Sequence, residues 1–393
     1  MLKATCTSSL RRLLITAIAS ATACWSLPAQ AQDPAVAGIS DPIGIELAPG
    51  ETILETLDGE SGMPVPMFNA QTNQPITAGA AASHGHDGSC QTCSGCFGGC
   101  EPGCYVRGEA LFMRRQGDNQ QTLTPKFALG EFDHEFGGRV TLGRMMDCVE
   151  GYEAVFTGML EWDLSAQRAT DPAIVPNTFI TPGAGLGAGF LDVFTNADFQ
   201  RQTYQAEYNS FELNRIHRGW DVIQTMAGFR YIDYSEEFQY SVLDSLGPPN
   251  GATAGFLRSD IENRMIGGQV GIDMAYPLSE RLWTVVKARG GVFMNFTDSV
   301  FQVVTNANTQ TIIANNSEEE TDLSGLVEFG TSFRYNLGPS LALTAGYEFW
   351  YLANVATVPS QLTTSITPAS GSTIDISDDV FFHGAVFGAE FSF

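Results

Sequence analysis

The sequence predicts an all-β protein, an antiparallel up-and-down transmembrane β-barrel of about ten strands, with twelve as the alternative, behind a disordered cysteine-containing N-terminal extension. Three observations predict it. From Cys104 onward, segments of roughly ten to twenty-five residues alternate apolar and polar positions, and Gly, Asn, Asp and Pro collect between them. The connections alternate between tight and long. The chain ends Val386-Phe-Gly-Ala-Glu-Phe-Ser-Phe393, with apolar residues at every second position up to a terminal Phe.

Lys3, Arg11 and Arg12 precede an apolar run from Leu13 to Leu27, and Ala29-Gln-Ala31 follows, which is the three-part layout of a secretion signal. Residues 1–31 are therefore expected to be cleaved. The run is too short to span hydrocarbon, and Ala21 stands where a lipoprotein site at Cys24 would want a large aliphatic residue. Beyond Gln32 no stretch of about eighteen apolar residues remains, so only a closed barrel crosses a bilayer. The whole chain carries 20 Lys+Arg against 44 Asp+Glu; removing the three basic residues of 1–31 leaves 17 against 44, a charge near −27. Nucleic acid and anionic head groups are poor partners for such a balance, while divalent cations suit it.

Residues 32–103 show no sustained period and are rich in Pro, Gly, Ala, Thr and acids, which reads as a disordered acidic periplasmic extension. Its sharpest feature is Cys90, Cys93, Cys96, Cys100 and Cys104 behind Ser83-His84-Gly-His86-Asp-Gly. A secreted chain reaches an oxidising compartment, where close cysteines pair as disulfides, and Cys148 makes six candidates in the mature chain. The alternative is a zinc site, with His84, His86, Cys90 and Cys93 as its weaker ligand candidates.

The barrel is expected over 104–393, with strands at about 104–116, 133–146, 150–166, 202–217, 220–243, 256–276, 281–306, 310–337, 341–357 and 379–393. In the segment from Arg281, Leu282, Thr284, Val286, Ala288, Val292, Met294 and Phe296 fall on one face, and Lys287, Arg289 and Asn295 on the other. Segments 220–243 and 310–337 are long enough to hide an extra turn each, hence the twelve-strand alternative. Connections near 147–149, 218–219, 277–280 and 338–340 are tight, while those near 117–132, 167–201, 244–255 and 358–378 are long, the two-sided pattern of outer-membrane barrels. Trp220, Tyr276, Trp283, Tyr335, Trp350 and Tyr351 near strand ends fit interfacial girdles.

If the apolar faces point to lipid, Arg107, Arg139, Arg230, Lys287, Arg289 and Arg334 turn inward with Glu109, Glu153, Glu161, Glu212, Glu328, Glu348 and Glu390. Six bases against seven acids predict a lumen cross-linked by ion pairs, because unpaired charges in a narrow barrel are costly. Gly183-Ala-Gly185-Leu-Gly187-Ala-Gly189 has the glycine spacing of a phosphate-cradling loop, but no Lys-Ser/Thr follows, so it reads as a surface loop. No Ser, His and Asp, and no carboxylate pair, stand at a spacing that certifies catalysis, and no cofactor is expected.

Tyr105-Val-Arg-Gly-Glu109-Ala-Leu-Phe-Met-Arg114, Ser210-Phe-Glu-Leu-Asn214, Gly228-Phe-Arg-Tyr231, Asn263 with Gly267-Gly-Gln269, and Gly346-Tyr-Glu-Phe-Trp350 through Asn354-Val-Ala356 with Gln361 resemble the planctomycete outer-membrane beta-barrel porin family seven. The resemblance covers 104–393 and implies a barrel in the outer membrane of a Gram-negative-type bacterium. Its partners would be membrane lipid and the barrel-assembly machinery, which reads Phe391 and Phe393 in the last strand. Three functions follow as expectations: a porin for small solutes or a plugged structural barrel; an adhesion protein using the loops at 167–201 and 358–378; and, least supported, a membrane hydrolase.

Overall fold

The computed structural model describes residues 103–117, 122–147, 149–169, 178–220, 222–244, 253–306 and 311–393. The expected signal and extension, and with them His84, His86, Cys90, Cys93, Cys96, Cys100 and also Cys148, lie outside these residues. Among the described residues no helix is long and apolar enough to cross a membrane.

Ten long strands close into one antiparallel barrel: β1 (Cys104–Gln116), β2 (His134–Met145), β3 (Glu150–Ala169), β5 (Phe199–Trp220), β6 (Ile223–Asp244), β7 (Thr253–Pro277), β8 (Leu282–Asn306), β9 (Thr311–Asn336), β10 (Leu341–Val355) and β12 (Asp378–Ser392). Two short strands, β4 (Thr181–Pro182) and β11 (Ser365–Ile366), pair in parallel outside it. Strands β6 and β9 run unbroken, so the extra turns of a twelve-strand barrel are absent. Closure comes from β12 pairing with β1, and Phe393 and Cys104 exchange two backbone hydrogen bonds of 2.9 Å at the seam. A closed sheet leaves no unpaired edge, which is the condition for backbone to cross hydrocarbon.

The turns 146–149, 221–222, 278–281 and 337–340 share one end of the barrel with both of its chain ends; the connections 117–133, 170–198, 245–252, 307–310 and 356–377 share the other. At the first turn the Asp147 carboxylate accepts the backbone N–H groups of Glu150 at 2.6 Å and Val149 at 2.8 Å. Those two bonds hold its pKa below the usual carboxylate range.

The wall is uneven in height. Strands β1, β2, β10 and β12 have 13, 12, 15 and 15 residues, whereas β5 to β9 have 22 to 26. About ten residues suffice to cross a membrane, so the tall strands project well beyond the short ones. On the outer face Phe229, Ile266, Val270, Val292, Phe329, Phe333 and Phe387 are exposed. Moving up the tall wall, this apolar face gives way abruptly to charge: Tyr231 is followed by Asp233, Ile266 by Arg264 and Phe296 by Asp298. Tyr276, Tyr335 and Tyr351 stand outward as the girdle reading expects. Trp350 does not; it is fully buried in the lumen beside Tyr208 and Phe382. Trp283 also turns inward, its indole Nε1 being enclosed.

One defect in the alternation decides a side-chain assignment. The β3–β5 register shifts between Thr157 and Leu160, where an extra residue bulges out, and Met159 takes φ +62°. Below the bulge Glu153, Val155 and Thr157 point inward; above it Leu160 and Trp162 do, and Glu161 is exposed on the outer face. Glu161 is therefore removed from the predicted lumen set, because an even spacing from Glu153 counts through a bulge that inverts the phase.

Deleting Met159 is expected to remove the bulge and restore plain alternation with Trp162 still inward and Glu161 still outward, so the heat-shifted band of folded protein on a gel should persist. Met159→Gly, which suits a positive φ and keeps the register, should retain that band.

Candidate functional site

The interior is the site to which the sequence assigns its charges, and it is stacked in tiers. Nearest the turn end, Arg107 donates to Glu390 at 2.9 Å through Nε and 2.7 Å through Nη2, while Arg334 Nη2 meets the other oxygen of Glu390 at 2.7 Å. Arg107 and Glu390 face each other across the β1–β12 seam, and Arg334 reaches in from β9 past β10. Glu153 accepts the Tyr105 hydroxyl.

The middle tier crosses the lumen. Arg139 on β2 grips Glu348 on β10 with two bonds of 3.0 and 2.9 Å, spanning the two strands between them. Lys287 meets the same carboxylate, the Trp350 indole N–H donates to it at 3.0 Å, and Arg139 also lies 3.4 Å from Glu109. Opposite, the Arg230 guanidinium lies 2.8 Å from Glu328 and 3.5 Å from Glu212, and donates to the Tyr208 hydroxyl at 2.8 Å. Arg289 stands 3.6 Å from Glu212, and the Gln269 amide donates to Glu212 at 2.8 Å and to Asn214 at 2.9 Å. Charges of this kind are tolerated inside a barrel only when paired and hydrogen-bonded, and here Glu109, Glu212, Glu328 and Glu348 each have a cation within reach.

The upper tier was missed by sequence reasoning. Arg115 on β1 is buried and meets Glu236 on β6, on the far side of the barrel. Its Nε donates to the Tyr234 hydroxyl at 2.7 Å, and its guanidinium lies over the rings of Phe132 and Tyr204 at 5.0 and 5.5 Å. The signal was present, since Arg107, Glu109, Leu111, Met113 and Arg115 share one face of β1, but the adjacent Arg114, paired outside with Glu131, hid it.

Above this tier the loops close the opening. At Asn354, φ +55°, the β10–β12 register shifts at the end of β10 and the chain then turns into the lumen, so that Val355, Ala356, Thr357 and Val358 are buried. Asn263 pins the turned backbone from both sides, its Nδ2 donating to the Ala356 carbonyl at 2.8 Å and its Oδ1 accepting the Ala356 N–H at 3.0 Å. Glu236 Oε2 accepts the Val358 N–H at 2.8 Å, which ties the loop to the Arg115 cluster. The β4–β11 pair stitches the loop 356–377 to the loop 170–198, with Thr181 donating to Thr364 at 2.7 Å and Gly183 to Ile366 at 2.8 Å. Leu123, Leu129, Phe132, Ile180, Phe194, Phe238, Val303 and Ile376 form the apolar core beneath. The loops expected at the surface therefore bury many of their apolar residues inside the barrel, while Phe179 and Phe190 stay exposed.

Of the remaining sequence candidates, Cys104 opens β1, and Phe391 and Phe393 stand exposed at the end of β12 with ring centroids 5.9 Å apart. Among the described residues no group of three His, Cys, Asp or Glu is placed to hold a metal.

The family described as "Putative beta barrel porin-7 (BBP7)" matches residues 184–393. Solved structures that are similar include the outer membrane protease OmpT of Escherichia coli, at 9% identity over 74% of this chain and 97% of that one, TM-score 0.41. The toluene transporter TbuX of Ralstonia pickettii matches at 8% identity over 76% and 91%, TM-score 0.29. A FadL homologue of Pseudomonas aeruginosa matches at 10% over 74% and 89%, TM-score 0.25. No curated protein matches the sequence.

Glu348→Lys would set a third cation beside Arg139 and Lys287. It is expected to cost at least about 3–5 kcal/mol, measured by urea unfolding in micelles, whereas Glu319→Lys on the exposed upper part of β9 should stay within about 0.5 kcal/mol.

Proposed function

Because the chain belongs to the beta barrel porin-7 family, we propose that it is an outer-membrane barrel closed at rest, with a structural role in the envelope rather than that of an open pore. The observation that carries this reading is the cross-lumen network, to which eight strands contribute: Glu109 on β1, Arg139 on β2, Glu212 on β5, Arg230 on β6, Gln269 on β7, Lys287 and Arg289 on β8, Glu328 on β9 and Glu348 on β10. A ten-strand barrel is only slightly wider than one its own side chains fill, so a network of this extent leaves little free section. The loop roof adds a second closure above it.

On this reading the outward apolar band contacts lipid hydrocarbon, the turn end faces the periplasm and the loop end faces outside. The exposed Phe391 and Phe393 on the closing strand are what the assembly machinery would read. The protein is not an enzyme on this reading, since the inward carboxylates of the middle tier are engaged by cations or amides. An adhesive role draws less support, because the loops it would use turn many of their apolar residues inward, although Phe179 and Phe190 stand exposed.

Purified protein in planar bilayers is expected to give no stepwise current, and replacing 357–377 by a short turn should leave it silent while the middle tier persists. Regular single-channel steps from the unaltered protein would overturn the proposal.

A further inference from the structure

Closure of the barrel reaches only as high as its short strands. Strand β10 pairs with β9 from Ala342 and Asn336 up to Ala353 and Gly325, and β9 then continues to Thr311 with β8 as its one strand neighbour. Above Gly325 the side of β9 turned away from β8 is therefore a strand edge. The direction of its backbone groups follows from the foot of the strand, where the Asn336 N–H donates to the Arg281 carbonyl beside β8 and the Leu337 N–H to the Leu341 carbonyl of β10, at 2.9 Å each. Backbone direction alternates along a strand, so the odd positions of β9 aim away from β8. Leu323 conforms, its carbonyl accepting from Asn354 Nδ2 at 3.4 Å.

Above Leu323 this edge is open. Among the described residues, the edge-facing N–H and C=O groups of Thr321, Glu319 and Ser317 have no hydrogen-bond partner, and all three residues are exposed. Asn316 bounds the open stretch from above, its side chain being held by the Pro368 and Ser370 carbonyls. The stretch is acidic on both faces. Glu318, Glu320 and Asp322 stand on the inner face, opposite the buried Ser299, Thr297 and Asn295 of β8, and Glu319 stands on the outer face opposite Asp298. Asp298 is paired with Arg264, but among the described residues no cation lies within salt-bridge distance of Glu318, Glu319, Glu320 or Asp322.

We infer that the β9 edge between Asn316 and Leu323 docks an extended segment of another protein, one with Lys or Arg at alternate positions, as an added strand. The open backbone groups supply the ladder of such a strand, and the carboxylates select its side chains. Glu318, Glu320 and Asp322 recur every second residue, so a strand laid beside them matches all three when its bases share one face. Charge excludes the nearer occupants. A second copy of this chain would bring the same carboxylates against themselves, and residues 32–103 hold acids but no Lys or Arg. The docking surface is the edge of the wall and not the inward-folded loops. It takes from the proposed function only the side of the membrane on which the partner is met, and it requires neither a closed nor a conducting lumen.

The test is fluorescence anisotropy of a labelled short peptide alternating Lys and Thr, titrated with the folded full chain in uncharged micelles at low salt. Saturable binding is expected. The same peptide N-methylated at every second amide keeps its charge but loses its ladder donors, and it should bind about tenfold more weakly or not at all. Thr321→Pro removes one edge N–H without changing charge, a substitution that an edge strand tolerates, and should weaken binding similarly while the heat-shifted band persists. Glu318→Gln with Glu320→Gln should lower the affinity about tenfold, whereas Glu207→Gln with Glu237→Gln, on the outer wall of β5 and β6, should leave it unchanged. The N-methylated peptide decides, because that arm uses the unaltered protein. Undiminished binding of that peptide, undiminished binding by folded Thr321→Pro, or an equal loss in the Glu207 and Glu237 double variant would each overturn the inference. So would absence of saturable binding, as an edge taken by residues 32–103 would give, or a dimer of the peptide-free protein that Thr321→Pro dissolves, which would give the edge to a second copy. A silent or conducting result in bilayers bears only on the closure of the barrel.

Discussion

The structure depends on pairing charge across a closed lumen. A barrel gives each strand one face toward hydrocarbon and one toward the inside, so every polar residue removed from the outer face must be satisfied within. Neighbouring strands cannot supply all the partners, and the long-range pairs solve this: Arg139 reaches Glu348 over two strands, Arg230 reaches Glu328 over two others, and Arg115 reaches Glu236 on the opposite wall. These contacts brace the barrel from inside. They also close it, so packing and closure are one property of the same side chains.

The unequal heights of the wall explain the roof. Loops leaving the short strands β1, β2, β10 and β12 emerge below the rim of β5 to β9 and lie against its inner surface. Phe132 then packs on Tyr204 of β5, Ala356 and Val358 dock on β7 and β6, and Asn316 of β9 donates to the Pro368 and Ser370 carbonyls at 2.9 and 2.7 Å. Those loops have an apolar surface to cover because the inner face of the tall wall turns apolar and aromatic near its top, at Phe238, Tyr240, Leu257 and Val303. The Asn354-Val-Ala356 segment and Asn263, which stand out as motifs in the sequence, are the two halves of the hinge that starts one loop inward.

Strand positions were legible because two physical signals agree, the period-two alternation and the turn residues between the segments. They located all ten long strands, including the long β8 and β9 that carry the wall beyond the membrane. The inward set followed from the same alternation, and Arg139, Arg230, Lys287, Glu328 and Glu348 stand where that logic puts them. The logic failed at Glu161 because a bulge adds one residue without any compositional mark: Gly158-Met159 looks like ordinary strand text. It failed again at Trp350, where a large aromatic near a strand end fits a girdle as well as a lumen, and only the phase set by Glu348 two residues earlier separates the two.

The amino-acid order alone thus determined the class of fold, where the long strands lie, which face of most strands holds charge, and which end has tight turns, since all of these are local consequences of side-chain period and turn chemistry; that β6 and β9 run unbroken, giving ten strands and not twelve, came from the structure. Which charge meets which, whether the loops stand out or fold in, and which side of the β3 bulge each residue faces were decided by the tertiary structure. The reason is that these depend on the shear and unequal heights of a closed wall, which bring together residues hundreds of positions apart, as Arg107 and Glu390 are.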